Sequence, residues 1–164
     1  MFKYTICFIK KGDELLLLNR EYPLWMGCWN GVGGKLEPNE TPLECAIREI
    51  FEETDIKLNE VKFKGTVTWE VDGALSGGMY AFVAEVPEDF SYGTPRKTYE
   101  GILDWKDTSW VLNPENIGIV SNIPLFLPKM LNDDKIYEHR CFYKGKVLQG
   151  VETISIKEDE VNFK

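Results

Sequence analysis

The sequence predicts an α/β fold in which helices cover a mixed sheet, and three observations carry that prediction. Strand-like runs stand at both ends of the chain, a strongly amphipathic helix lies between them, and 164 residues with 43% hydrophobic content suffice for one substantial core. A single domain over residues 1–164 is expected.

Phe2 to Ile9 and Glu14 to Asn19 read as strands joined by Lys10, Lys11, Gly12 and Asp13, an edge hairpin opening the fold. Arg20 to Asn30, punctuated by Pro23, Gly27 and aromatic residues, reads as loop and leads into Gly31, Gly33 and Gly34. Thr41, Pro42 and Glu44 supply an N-cap, a first-turn proline and a capping-box acid for a helix running to about Thr54. Its 3.6-residue period places Leu43, Ala46, Ile47 and Ile50 on one face and Glu49, Glu52 and Glu53 on the other. Val61 to Val71 and Gly78 to Val86 are expected strands, joined through Asp72-Gly73. Pro87 to Asp107 reads as one long loop, Asn113-Pro114-Glu115 as a helix start and Pro124 to Leu131 as a short helix. Ile136 to Tyr143 and Val147 to Ile156 form a closing hairpin, and the charged tail Lys157 to Lys164 is expected to fray.

Charge narrows the partners. With 27 Asp and Glu against 19 Lys and Arg, the net charge of -8 argues against a nucleic-acid polymer. A small polyphosphate stays open to an acidic protein when divalent ions stand between carboxylate and phosphate. Cys7, Cys28, Cys45 and Cys141 show neither metal-site nor disulfide spacing, as reduced cytosolic thiols would. The first strand alternates instead of running apolar, so neither a signal peptide nor a membrane helix is expected. By elimination the expected location is cytoplasmic, without a membrane partner, as a monomer or homodimer.

Glu49, Glu52 and Glu53 occupy i, i+3 and i+4, where like charges repel by roughly 0.2–0.5 kcal/mol per pair. Alone, such a triplet is as readily a solvated helix face. Gly33, Gly34, Lys35 and Glu40 lie just upstream, adding backbone that can approach a ligand closely and another carboxylate. Hard oxygen ligands without His or Cys suit Mg²⁺ or Mn²⁺, and such ions polarise phosphoryl groups and activate water.

These residues resemble the Nudix box, G-x5-E-x7-R-E-U-x-E-E-x-G-U with U a bulky aliphatic. Gly34, Glu40, Arg48, Glu49, Ile50, Glu52, Glu53 and Ile56 keep every spacing, while Asp55 replaces the penultimate glycine. Asp tolerates left-handed backbone, so a helix-ending turn is still expected there. The resemblance implies a Nudix α/β/α sandwich and a Mg²⁺ site, with Mn²⁺ as the alternative. It makes Glu49, Glu52 and Glu53 the ligands, Gly33 a carbonyl donor, Glu40 a supporting outer ligand and Arg48 their orienting residue. Either Glu49 or Glu100 is the implied base, the latter standing five residues before Trp105 as in MutT-like members.

Tyr4-Thr5, Gly27 to Gly31 and Gly33-Gly34-Lys35 further resemble the oxidised purine nucleoside triphosphatase branch. That likeness implies substrate contacts from Thr5, Asn30, Gly34, Lys35 and Trp69, with Asn30 pairing to a base edge and Trp69 stacking; for both, a structural role stands equally open. The Asp pair which that branch sets against the purine edge is missing from Asn116 to Val120. The implied function is a Mg²⁺-dependent nucleoside triphosphate diphosphatase acting on a small nucleoside polyphosphate such as 8-oxo-dGTP. Hydrolysis of a dinucleoside polyphosphate or nucleotide sugar, and nucleotide sensing without turnover, are the alternatives.

Overall fold

Alternation along the central strands sets the layers of the fold. Along β1 (Tyr4–Lys11) and β2 (Glu14–Arg20), Ile6, Phe8, Leu15 and Leu17 point into one core cluster, and Cys7, Ile9, Leu16 and Leu18 into the other. The computed structural model describes residues 1–161, and within them nine strands form one mixed sheet. After β3 (Trp29–Asn30) comes α1 (Pro42–Thr54), followed by β4 (Lys62–Val71), β5 (Ala74–Val86), β6 (Arg96–Lys97) and β7 (Gly101–Asp107). Then follow α2 (Thr108–Val111), α3 (Ile123–Asn132), β8 (Ile136–Lys144) and β9 (Val147–Ile156). The strand order is β6-β7-β2-β1-β5-β4-β8-β9, with β3 on β2, and β1/β5 and β4/β8 are the parallel pairs. Ala46 and Ile50 of α1 close one face, while Ile123, Phe126, Leu127 and Met130 of α3 close the other. The α/β/α arrangement is as expected, and among the described residues no helix is long and apolar enough to cross a membrane.

Several local expectations are corrected. The β1–β2 hairpin is central, since β5 flanks β1 and β7 flanks β2. A sheet covered on both faces accounts for the unbroken Leu15–Leu18 run, all of it buried. Pro87 to Asp107 contains β6 and β7, where Leu103 and Trp105 face the α1 side. Asn113 starts no helix: its Oδ1 accepts from the Glu115 amide in a tight turn. On α1 the buried residues are Pro42, Cys45, Ala46, Ile50 and Thr54, and Leu43 is 45% exposed. At the tail, Glu158–Glu160 form a 3₁₀ turn and Val161 packs on the α1-side cluster, while the rest of the segment expected to fray lies outside the described residues.

Candidate active site

Helix α1 is held at both ends. Thr41 Oγ1 accepts from the Glu44 amide at 3.2 Å while Glu44 accepts from the Thr41 amide at 2.8 Å, the expected capping box. At the other end Asp55 adopts φ 61° and donates its N–H to the Phe51 carbonyl, so the residue replacing glycine still makes the left-handed cap. This fixed helix carries Glu49, Glu52 and Glu53.

Arg48 organises them. Its Nε and Nη2 grip Glu40 at 2.7 and 2.9 Å, and its Nη1 reaches Glu49 at 2.9 Å and Glu52 at 3.0 Å. Nη2 also donates to the Lys35 carbonyl at 3.1 Å. The guanidinium holds the Glu40 carboxyl down at about 2. Glu40 is thereby committed to Arg48 through two charge-assisted bonds, which makes it a support for the carboxylate face. Lys35 contributes a carbonyl while its side chain is exposed.

The glycine loop approaches the helix as expected, through specific contacts. Gly33, at φ 149°, donates its amide to Glu53 Oε2 at 3.0 Å. A β-carbon on Gly34 would overlap the Glu49 carboxylate, so that carboxylate can sit there only above glycine. The Gly34 carbonyl accepts from the Thr5 amide at 2.9 Å, tying the loop to β1.

Glu100 joins the same place from a distant part of the sequence. Thr98, Tyr99 and Glu100 link β6 to β7, and together with Glu49, Glu52 and Glu53 they line a recess of about 180 Å³. Burial first, then the charges of Glu49 and Glu100, push the Glu53 carboxyl up to about 8, against the opposing Gly33 amide and Arg20. Burial also raises Glu49, with Arg48 opposing. Crowded, partly desolvated carboxylates of this kind fit a hard divalent cation, which would favour their charged forms. As they stand, Glu49 faces Arg48 and Glu53 faces Gly33, and no three acidic, His or Cys side chains among the described residues are arranged around a common point for a metal. Cation binding therefore requires side-chain rotation.

The implied base contacts lie elsewhere. Thr5 is buried at 5% exposure with Oγ1 3.4 Å from Cys45 Sγ, beneath α1. Asn30 turns its Oδ1 to the Gly31 amide at 2.9 Å. Trp69 is half-buried against the α3-side cluster with its indole over Gly77. Neither lines the carboxylate recess. Two neighbours escaped the sequence reading. Arg20 ends β2 opposite Gly101, and its Nε is buried with no hydrogen-bond partner among the described residues. Tyr99 is 83% exposed on the recess itself. Arg20 reaches Glu100 only through the β2–β7 pair, which the fold reveals, whereas Tyr99 is the immediate sequence neighbour of Glu100.

Comparison with known proteins agrees with this geometry. The Bacillus subtilis Nudix hydrolase YvcI is 29% identical over 112 residues, 68% of this chain and 69% of that protein. The mouse oxidized purine nucleoside triphosphate hydrolase is 28% identical over 103 residues, covering 62% of this chain and 64% of that protein. The NAD-capped RNA hydrolase NudC of Pseudomonas syringae is 28% identical over 76 residues, only 27% of its own length. In fold, a MutT protein from Bacillus halodurans matches 93% of this chain and 97% of its own with TM-score 0.73 at 24% identity. The NUDIX domain model matches residues 3–117, a span that contains every carboxylate of the recess, and the chain belongs to the Nudix family of pyrophosphohydrolases.

Proposed function

We propose that the chain is a Mg²⁺-dependent nucleoside triphosphate diphosphatase, in which water attacks phosphorus to give a nucleoside monophosphate and pyrophosphate. The observation that carries this reading is the convergence of Glu49, Glu52, Glu53 and Glu100 on one recess, three of them from a capped helix and one from a hairpin tip. Glu49, Glu52 and Glu53 would hold Mg²⁺, with Mn²⁺ as a substitute. When bound, the ion polarises the phosphoryl group and lowers the pKa of water.

The chain's residues supply the rest. Glu100 takes the proton of the attacking water, because Glu49 is engaged by Arg48 while Glu100 lines the recess from the β6–β7 tip. Arg48 keeps the ligand carboxylates oriented, and Arg20 offers positive charge to the substrate phosphates from the end of β2. The mouse relative, an oxidized purine nucleoside triphosphate hydrolase, supports nucleoside triphosphates as substrates. Ile119 and Val120, each 4% exposed, stand in the segment where the purine branch has its Asp pair, so 8-oxo-dGTP selectivity would need other contacts.

The test is product identification with Mg²⁺ for dGTP, 8-oxo-dGTP, a dinucleoside polyphosphate and a nucleotide sugar, using wild type and Glu53→Gln. Pyrophosphate release from triphosphates, lost in the variant, is expected. Equal activity in the variant removes the metal-ligand assignment, and faster cleavage of a diphosphate-linked compound replaces the substrate class.

A further inference from the structure

The aromatic residue that faces the carboxylates is Tyr99. It shares the β6–β7 tip with Glu100 and lines the same recess, yet its ring is 83% exposed. Large aromatic side chains ordinarily bury most of their surface, and this one is left open at the edge of a polar recess, beside a second exposed ring.

The tip is braced. The Thr98 amide donates to the Gly101 carbonyl at 2.7 Å, and Thr98 Oγ1 accepts from the amides of Glu100 and Gly101, each at 3.2 Å. From the neighbouring loop, the Glu21 amide donates to the Glu100 carbonyl at 3.0 Å, and Lys97 pairs with Glu21. Tyr22 stands behind Tyr99, their ring centroids 6.3 Å apart and their planes inclined by 36°. Tyr22 is itself 45% exposed, so the pair forms a supported aromatic surface beside the carboxylates. Trp69 is unavailable for that place because it packs against the α3-side cluster.

We propose that Tyr99, supported by Tyr22, is the stacking surface for the nucleobase of the substrate whose phosphates lie at Glu49, Glu52, Glu53 and Glu100. This rests on the reading of the site as a nucleotide phosphohydrolase. A planar base gains stacking area on either purine or pyrimidine, so Tyr99 confers affinity for nucleotides over bare polyphosphate and little choice among bases.

The test compares KM for dGTP with KM for inorganic tripolyphosphate in Mg²⁺, for wild type, Tyr99→Ala and Tyr99→Phe. Tyr99→Ala is expected to raise the dGTP-to-tripolyphosphate KM ratio roughly 5- to 150-fold, the range that stacking of one base supplies. Tyr99→Phe keeps the ring and is expected to return the ratio to within about threefold of wild type. An unchanged ratio in Tyr99→Ala, or one left high in Tyr99→Phe, overturns the proposal. Should wild type cleave neither compound, the nucleoside triphosphate reading fails, and calorimetry with dGTP and Mg²⁺ decides the stacking role. Binding at least fivefold weaker in Tyr99→Ala supports it, and equal binding overturns it.

Discussion

Glu49 sets its carboxylate where a β-carbon on Gly34 would have to stand. A methyl at residue 34 must displace either the glycine loop, which Thr5 anchors, or the carboxylate, which Arg48 holds at 2.9 Å. Gly34→Ala is therefore expected to lower kcat about 100-fold, in line with displacement of a catalytic group by roughly 1 Å. Thermal unfolding measured alongside should move by only a few degrees, because the clash lies at the rim of the fold. Wild-type turnover in this variant would show that the carboxylate has other productive positions.

Glu40 is expected to matter for stability and, through Arg48, for metal affinity. Glu40→Gln removes two charge-assisted bonds from a side chain that is 11% exposed, which costs about 1–3 kcal/mol. The sign with pH follows from the lowered carboxyl. Folded Glu40 titrates near 2 against an ordinary 4.5, so its contribution is complete above 4.5 and fades as the pH falls toward 2. Acid unfolding of wild type and variant should converge in that window. Parallel curves would deny the pair its role.

His139, the chain's single histidine, provides an independent acid-side marker. It is fully buried beside Phe126 and Tyr137, with Nδ1 2.9 Å from Thr153 Oγ1 and Nε2 unpartnered among the described residues. Burial lowers it from 6.5 to about 4. The unfolded chain binds this proton at higher pH, so the stability associated with neutral His139 is whole above 6.5 and declines as the pH falls to about 4. The single imidazole resonance should titrate near 4 by NMR; a midpoint near 6.5 would contradict the packing.

Glu53 has the opposite sign. Its carboxyl is raised from 4.5 to about 8, so the folded chain loses stability as the pH climbs between those values. Glu53→Gln is expected to raise Tm by about 2 °C or more at pH 8 in EDTA, since 1 kcal/mol moves a chain of this size roughly 2–4 °C. Added Mg²⁺ should stabilise wild type and leave the variant unmoved. A variant less stable than wild type in EDTA would mean that Glu53 is a structural acid.

The base assignment separates by kinetics. Glu100→Gln is expected to lower kcat by roughly 10²–10⁴ with little change in the Mg²⁺ dependence. A loss confined to Mg²⁺ affinity would make Glu100 a ligand and return the base role to Glu49.

How much of this was legible in the sequence depended on how local the determinant was. Thr41, Glu44 and Asp55 act within one helix, and their roles could be read directly. Leu43 misled because hydrophobicity alone chose the buried face, whereas Cys45 is buried against Thr5 of β1 and Thr54 is buried with its carbonyl accepting from the Tyr92 hydroxyl. β7 was hidden by the Gly and charged residues of Gly101 to Asp107, although Leu103 and Trp105 alternate as a strand requires. Arg20 was beyond reach, since its meaning comes from β2 pairing with β7 in register from Arg20↔Gly101, while Tyr99 stood beside Glu100 in the sequence and lacked only the recess that both line.

Arg48 gathers Glu40, Glu49 and Glu52 around one fixed positive charge that belongs to the chain itself. The acids are thus brought together by a charge that the folded chain itself carries. An incoming cation must then draw carboxylates from a guanidinium already bonded to them, a contest that one positive charge loses and two can win. On the reading proposed above, the same internal counter-ion would raise the threshold for entry and favour a divalent over a monovalent ion.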